Sequence, residues 1–190
     1  MRGKQVFSVQ CSVSGNAATA TPATGQGIRS TLTFRNRQRD RRLNLPFLRR
    51  VLRQVLTEQI PATTHDLCFH FVTAEEMARV NWQFLKHEGS TDVITFDYGE
   101  RSAVSGQRSA GLSGEAFICV ADAVKQAREF KTSWQGEVVR YAVHAVLHLR
   151  GYDDLQPAKR RVMKREENRL MRELAAVFDL DQLETQNSKP

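Results

Sequence analysis

The chain has 190 residues, 41% of them hydrophobic, with 28 Lys and Arg against 21 Asp and Glu for a formal net charge of +7. That length suits one ordinary domain able to bury a real core, and no apolar run approaches the roughly 18 residues needed to span a bilayer. Cys11, Cys68 and Cys119 form no CxxC pair and cannot all pair within one chain, which argues against a disulfide scaffold and favours a reducing, cytoplasmic compartment.

The charge is unevenly spread. Residues 1–60 hold 11 Lys and Arg against 2 Asp and Glu, whereas residues 61–190 hold 17 against 19. A basic third favours a polyanionic partner, nucleic acid first, because each phosphate contact releases condensed counterions. A basic solubilising surface accounts for the same charge.

Residues 14–27, SGNAATATPATGQG, carry no large apolar side chain and cannot repay the entropy of ordering. Residues 1–28 are therefore expected as a flexible N-terminal extension, 29–180 as a single domain and 181–190 as a C-terminal tail. In chain order, 31–37 alternates like a half-buried strand. Pro46 then suits the first turn of a helix over about 46–59. A strand over 67–72 follows, and Thr73 with Glu76 three residues on has the spacing of a capping box for a helix to about Leu85. Strands are expected over 92–98 and 115–120, joined by the Gly- and Ser-rich stretch 99–114, which reads as a long hairpin loop. Helices over about 121–131, 136–150 and 157–178 complete the chain. This order predicts an α+β fold, a small mixed β-sheet of about four strands packed by about five helices, because it lacks the regular alternation of a doubly wound fold.

The stretch from Tyr141 to Asp154, YAVHAVLHLRGYDD, carries the chemistry. His144 and His148 lie one helical turn apart on one face, close enough for both imidazoles to reach one metal ion. Gly151 lets the chain turn as the helix ends, and Asp154 is placed to swing back as a third ligand. Two nitrogens and a carboxylate leave an open position, the zincin-like arrangement in which zinc makes a nucleophile of bound water near neutral pH. The competing reading is a pair of core histidines. The helix is apolar around most of its circumference, however, and buried imidazoles need partners, since an unsatisfied polar group costs roughly 2–7 kcal/mol. The spacing also matches the metzincin peptidase layout, but Ala145 stands where that motif has its general-base glutamate.

These residues carry a family resemblance. HAVLHLRGYDD, together with Asn81 and Phe84, the run Ser90 to Phe96, and Gly114 to Cys119, resembles the YbeY family of metal-dependent endoribonucleases that mature ribosomal RNA. Its signature is HGxLHLxGYDH, with upstream N-x-x-Y/F and T-D/N-V-L/I-S/T-F. The resemblance covers about residues 67–176 and implies a single-strand-specific endoribonuclease acting in small-subunit rRNA 3′-end processing and ribosome quality control. It further implies one Zn2+ or another divalent ion at His144, His148 and Asp154, and partners in an rRNA precursor and the small ribosomal subunit. Two departures stand out. Asp154 occupies the position of the usual third histidine, with Asp153 as the neighbouring alternative or a turn residue, and Leu85 occupies the position where many members carry an arginine. The competing functions are a metallopeptidase and a non-catalytic ribosome-assembly factor with a structural metal.

For substrate, Arg35, Arg37 and Arg39 share a face if extended, and Lys86, His87 and Thr91 lie near the second motif. Trp82 and Phe84 offer stacking surfaces for bases, with at least one of them expected in the core. The basic run from Lys159 to Arg165 reads as a solvated helix face.

Overall fold

Alternating apolar positions organise the centre of the molecule into one mixed sheet. The computed structural model describes residues 7–10, 30–60, 64–99 and 111–185. Strands β1 (Phe7–Gln10), β2 (Thr31–Asn36), β3 (His65–Val72), β4 (Val93–Asp97) and β5 (Leu112–Cys119) lie in the order β1-β4-β5-β3-β2. β2, β3 and β5 run parallel, β4 is antiparallel to β5, and β1 is parallel to β4. Leu32, Leu67, Phe69, Phe71, Ala116 and Ile118 point to one side, into the main core. The alternate positions, Thr33, Arg35, Cys68, His70, Glu115 and Phe117, therefore face the other way.

The helices divide between these two faces. α1 (Leu45–Gln54) begins with Asn44 Oδ1 accepting the Phe47 N–H at 3.1 Å and buries Phe47, Leu48, Val51 and Leu52. α4 (Trp134–Arg150) lies on the core side of β4 and β5 and is buried almost all round, from Val138 to Leu149. Each of its buried Val and Leu side chains contributes about 1.5–3 kcal/mol relative to exposure. Gly114 makes that approach possible. A Cβ there would meet the Phe96 carbonyl oxygen at 2.4 Å and Leu149 Cδ2 at 2.6 Å. α2 (Ala74–Leu85) covers part of the opposite face, where Met77 packs with Val72, Ile94, Phe96 and Cys119. α3 (Val120–Phe130) and α5 (Pro157–Val177) both pack against α4.

The α+β class, the four expected strands and the five helices are all present. Four expectations change. The segment 1–28 contributes β1 as a fifth strand on the edge beside β4, so it is not wholly a flexible extension; its other residues lie outside those described. The expected tail contributes too: Leu180–Leu183 forms a 3₁₀ turn, Leu183 is fully buried, and the Asn44 N–H donates to its carbonyl at 2.7 Å. The first helix is α-helical only to Gln54, and Val55–Gln59 widens into a π-helical turn closed by Ile60 N–H to Val55 O at 2.7 Å. Pro61 follows, and the residue before a proline is disfavoured in the α region, so the turn opens there. β5 also starts at Leu112, shortening the connection read as 99–114; residues 100–110 of it lie outside those described. Among the described residues no helix is long and apolar enough to cross a membrane.

Candidate metal centre

The end of α4 brings three side chains together. Ser133 caps its start, accepting the Gly136 N–H at 3.1 Å, and Gly151 ends it at φ 102°, a left-handed conformation that glycine adopts without steric cost. Gly151 N–H donates to His148 O at 2.8 Å and Tyr152 N–H to Leu147 O at 3.0 Å, the paired bonds that reverse a chain at a helix C-terminus. The reversal leaves Asp153 and Asp154 in different surroundings. Asp153 accepts the Leu155 N–H at 2.9 Å and pairs with Lys159 at 3.0 Å, so its carboxylate is spent on the turn into α5. Asp154 is buried, with its backbone carbonyl held by Arg160 Nε at 2.8 Å and its carboxylate turned to the histidines.

His144 Nε2 and His148 Nε2 face each other at 3.0 Å, and Asp154 oxygens lie 4.0 Å from the first and 3.8 Å from the second. Zinc with bonds of about 2.0–2.1 Å in tetrahedral array sets its donors about 3.3 Å apart, so this donor set fits a metal ion of that size. The other ring nitrogens are engaged: His144 Nδ1 with Glu167 Oε2 at 2.8 Å, and His148 Nδ1 with the Tyr152 carbonyl at 3.2 Å. Such partners fix the tautomer and leave Nε2 available. Burial first, and then His144, lowers the pKa of His148 to about 3, which keeps it neutral and fit to donate its lone pair. Burial raises Asp154. Burial also pushes Glu167 up, but the hydrogen bond and charge of His144 with the charge of Lys164 outweigh it and hold the carboxyl well below the usual range.

A cavity of about 280 Å³ opens beside the cluster, walled by Asp92, Arg140, Tyr141, Arg160 and Lys164 as well as His144, Asp154 and Glu167. Arg160 and Lys164 belong to the run expected as a solvated helix face; both are exposed as expected, and both also border this cavity. Arg140 Nη1 reaches Glu167 at 2.8 Å and Asn168 at 3.0 Å, and Lys164 reaches Glu167 at 2.5 Å. Glu167 was not anticipated. A signal was present: within α5, Met163, Leu170, Met171 and Leu174 form the buried stripe, and Glu167 is the one charged residue in it.

The expected substrate residues lie elsewhere along the same sheet edge. Asn36 is in register with Phe71, Phe71 with Ile118, and Ile118 with Val93, so the end of β2 and the start of β4 share one row across the sheet. At about 4.8 Å per strand, the two are about 14 Å apart. Arg37 and Arg39 follow β2 beyond that edge, and Thr91 and Asp92 precede β4 beyond it. Arg37 pairs with Glu76 at 2.5 Å, Arg39 is exposed, and Arg35 sits one step back on the sheet face away from α4. Thr91 Oγ1 donates to Asp92 Oδ1 at 3.1 Å, which also accepts the Val93 N–H at 3.0 Å. Lys86 and His87 are exposed after α2, with the Lys86 ammonium 5.9 Å from the Trp82 ring centre.

Neither Trp82 nor Phe84 is in the core, at 54% and 45% exposed, although Phe84 meets Phe96 edge to face at 4.8 Å. Leu85 packs against the Val72, Met77, Ile94 and Phe96 cluster, an apolar role in place of a charged one. Buried Asn81 donates to Gly89 O at 2.9 Å and so braces the connection that leads to Thr91.

The family profile described as Endoribonuclease YbeY matches residues 33–175. An Endoribonuclease YbeY from Salinibacter ruber is 35% identical over 132 residues, 69% of this chain and 83% of that protein. An Endoribonuclease YbeY from Parabacteroides distasonis is 33% identical over 118 residues, 62% of this chain and 78% of that protein. A solution structure of a Thermotoga maritima protein superposes with a TM-score of 0.53 at 19% identity, covering 84% of this chain and 99% of that one, and so shares the fold.

Proposed function

The chain belongs to the endoribonuclease YbeY family, and from that premise we propose that it hydrolyses single-stranded RNA at His144, His148 and Asp154, which hold one divalent ion, Zn2+ by preference. The observation that carries this reading is the convergence of two imidazole nitrogens and one carboxylate on a single point beside a cavity whose wall includes Arg140, Arg160 and Lys164. When bound, a divalent ion there supplies Lewis acidity toward a phosphate oxygen and lowers the pKa of a water to about 7.

The remaining work falls to the protein. Glu167 and the Tyr152 carbonyl hold the two rings so that both Nε2 lone pairs turn to the point that the ion would occupy. Arg160 and Lys164 bring positive charge to the cavity wall, where the strand's negative charge arrives. Arg37 and Arg39, further along the same sheet edge, hold the strand on its way in. The histidines are recessed, so a flexible single strand reaches them where a duplex is held away. By family membership the natural substrate is an rRNA precursor of the small subunit, processed in the cytoplasm. The peptidase reading finds no support, since Ala145 replaces the base and both relatives named above are endoribonucleases.

Assay of the metal-loaded protein on single-stranded RNA, duplex RNA and casein, beside His148→Ala, tests this. Only single-stranded RNA is expected to be cut. The variant should lose about a thousandfold in rate, since a metal contributes several kcal/mol to charge stabilisation. RNA cleavage unchanged in the variant overturns the catalytic role, and metal-dependent folding without cleavage by either protein replaces it with a structural one.

A further inference from the structure

A second group of metal-ligating side chains occupies the sheet face turned away from α4. Cys68 and His70 lie two residues apart on β3 and share a face, and Glu115 is in direct register with Cys68 on β5. One ligand atom from each lies within 4.8 Å of the others. His70 is 3% exposed, yet neither ring nitrogen makes a hydrogen bond; Nε2 stands 3.3 Å from Glu115 Oε2 without the alignment of one. The ring is held by Phe117, stacked at 4.4 Å and nearly parallel. A buried imidazole left unsatisfied costs roughly 1–3 kcal/mol, and a fold that tolerates this in a central strand leaves a donor aimed at whatever the cluster takes up.

We propose that Cys68, His70 and Glu115 form a second metal site, separate from the α4 cluster, for a thiophilic divalent ion such as Zn2+. The donor set decides the class of ion. Thiolate and imidazole suit zinc and cobalt, whereas Mg2+ and Ca2+ require oxygen cages. Three protein donors leave a fourth position for solvent, and Cys68 and Glu115 are half-buried, so the ion has a way in. The cations nearby do not forbid it. Arg37 is paired with Glu76, and Arg35, beside His70 in register, is exposed, so its charge is screened by solvent. Glu115 brings a carboxylate, and the Cys68 thiol gives up its proton as the ion binds. Bound there, the ion clamps β3 to β5 at the middle of the sheet.

Cobalt separates the two sites, because only this one contains sulfur. Titrating the metal-stripped full chain with Co2+ should give two equivalents and a thiolate-to-cobalt charge-transfer band. Cys68→Ser should abolish the band and one equivalent, whereas His148→Ala should lose the other equivalent and keep the band. Glu115→Gln, which leaves the thiol and the fold in place, should weaken the band-forming equivalent by about tenfold or more. A single equivalent without a thiolate band in the unaltered protein, or a band that survives Cys68→Ser, overturns the proposal.

Discussion

The two clusters, on opposite sides of one sheet, are held in place by different means. His144 and His148 hang one turn apart from a buried helix, Asp154 joins them through a capped turn, and each imidazole is fixed by a hydrogen bond on its far nitrogen. Cys68, His70 and Glu115 project from two paired strands, and what orients His70 is ring stacking, with no hydrogen bond on either nitrogen. The first arrangement is preorganised by polar contacts and opens on a cavity, as a reaction centre requires. The second is set by sheet register alone, which suits an ion that ties strands together.

The contrast breaks first at Glu167. Glu167→Gln keeps an acceptor for His144 but removes the charge that the imidazole, Arg140 and Lys164 all share. Partners of this kind typically account for 10–100-fold in metal affinity. The expected result is a loss of about that size in Zn2+ affinity at the α4 cluster, read by competition with a chromophoric chelator, with RNA cleavage falling in parallel. An affinity unchanged by the substitution would put the two clusters on the same footing.

A smaller effect is expected at Gly114, where the faces are joined. Its missing Cβ lets Leu149 and the Phe96 carbonyl close over the strand. Neither of those contacts yields easily, because one is backbone and the other lies in the buried wall of α4. Gly114→Ala should therefore destabilise the protein by about 1–3 kcal/mol, the usual cost of overpacking, seen as a lower denaturant midpoint at constant m-value. An unchanged midpoint would mean that α4 is not held against β5 as closely as the contrast between the faces requires.

Much of this was legible in the sequence wherever a residue's role depends on its near neighbours. The 3.6-residue period placed His144 and His148 on one face, Gly151 announced the reversal, and the period-2 pattern of 31–37 and 67–72 announced strands. What stayed hidden was long-range. Glu167 meets His144 across 23 residues, β1 acquires a partner only when β4 is beside it, and Leu183 becomes core only because α4 and α1 offer it a surface. Cys68, His70 and Glu115 were equally invisible, since the two strands that align them are separated by α2, β4 and a long connection.

The smallest expected effect concerns how RNA reaches the better braced cluster. Arg39 is exposed and, unlike Arg37, has no carboxylate partner among the described residues. A phosphate can therefore meet it without first displacing Glu76. Each phosphate contact made by a single strand contributes about 0.7 to the slope of log K against log salt, so Arg39→Ala should reduce that slope by about this amount. At moderate salt it should weaken binding a few-fold while leaving the rate at saturating RNA unchanged. Arg37→Ala should do less, because its charge is already compensated by Glu76. A slope that Arg39→Ala leaves untouched would mean that the strand does not cross the β2 end of the sheet edge. The basic third of the sequence would then serve solubility, and the Arg160 and Lys164 wall would be left to gather the substrate by itself.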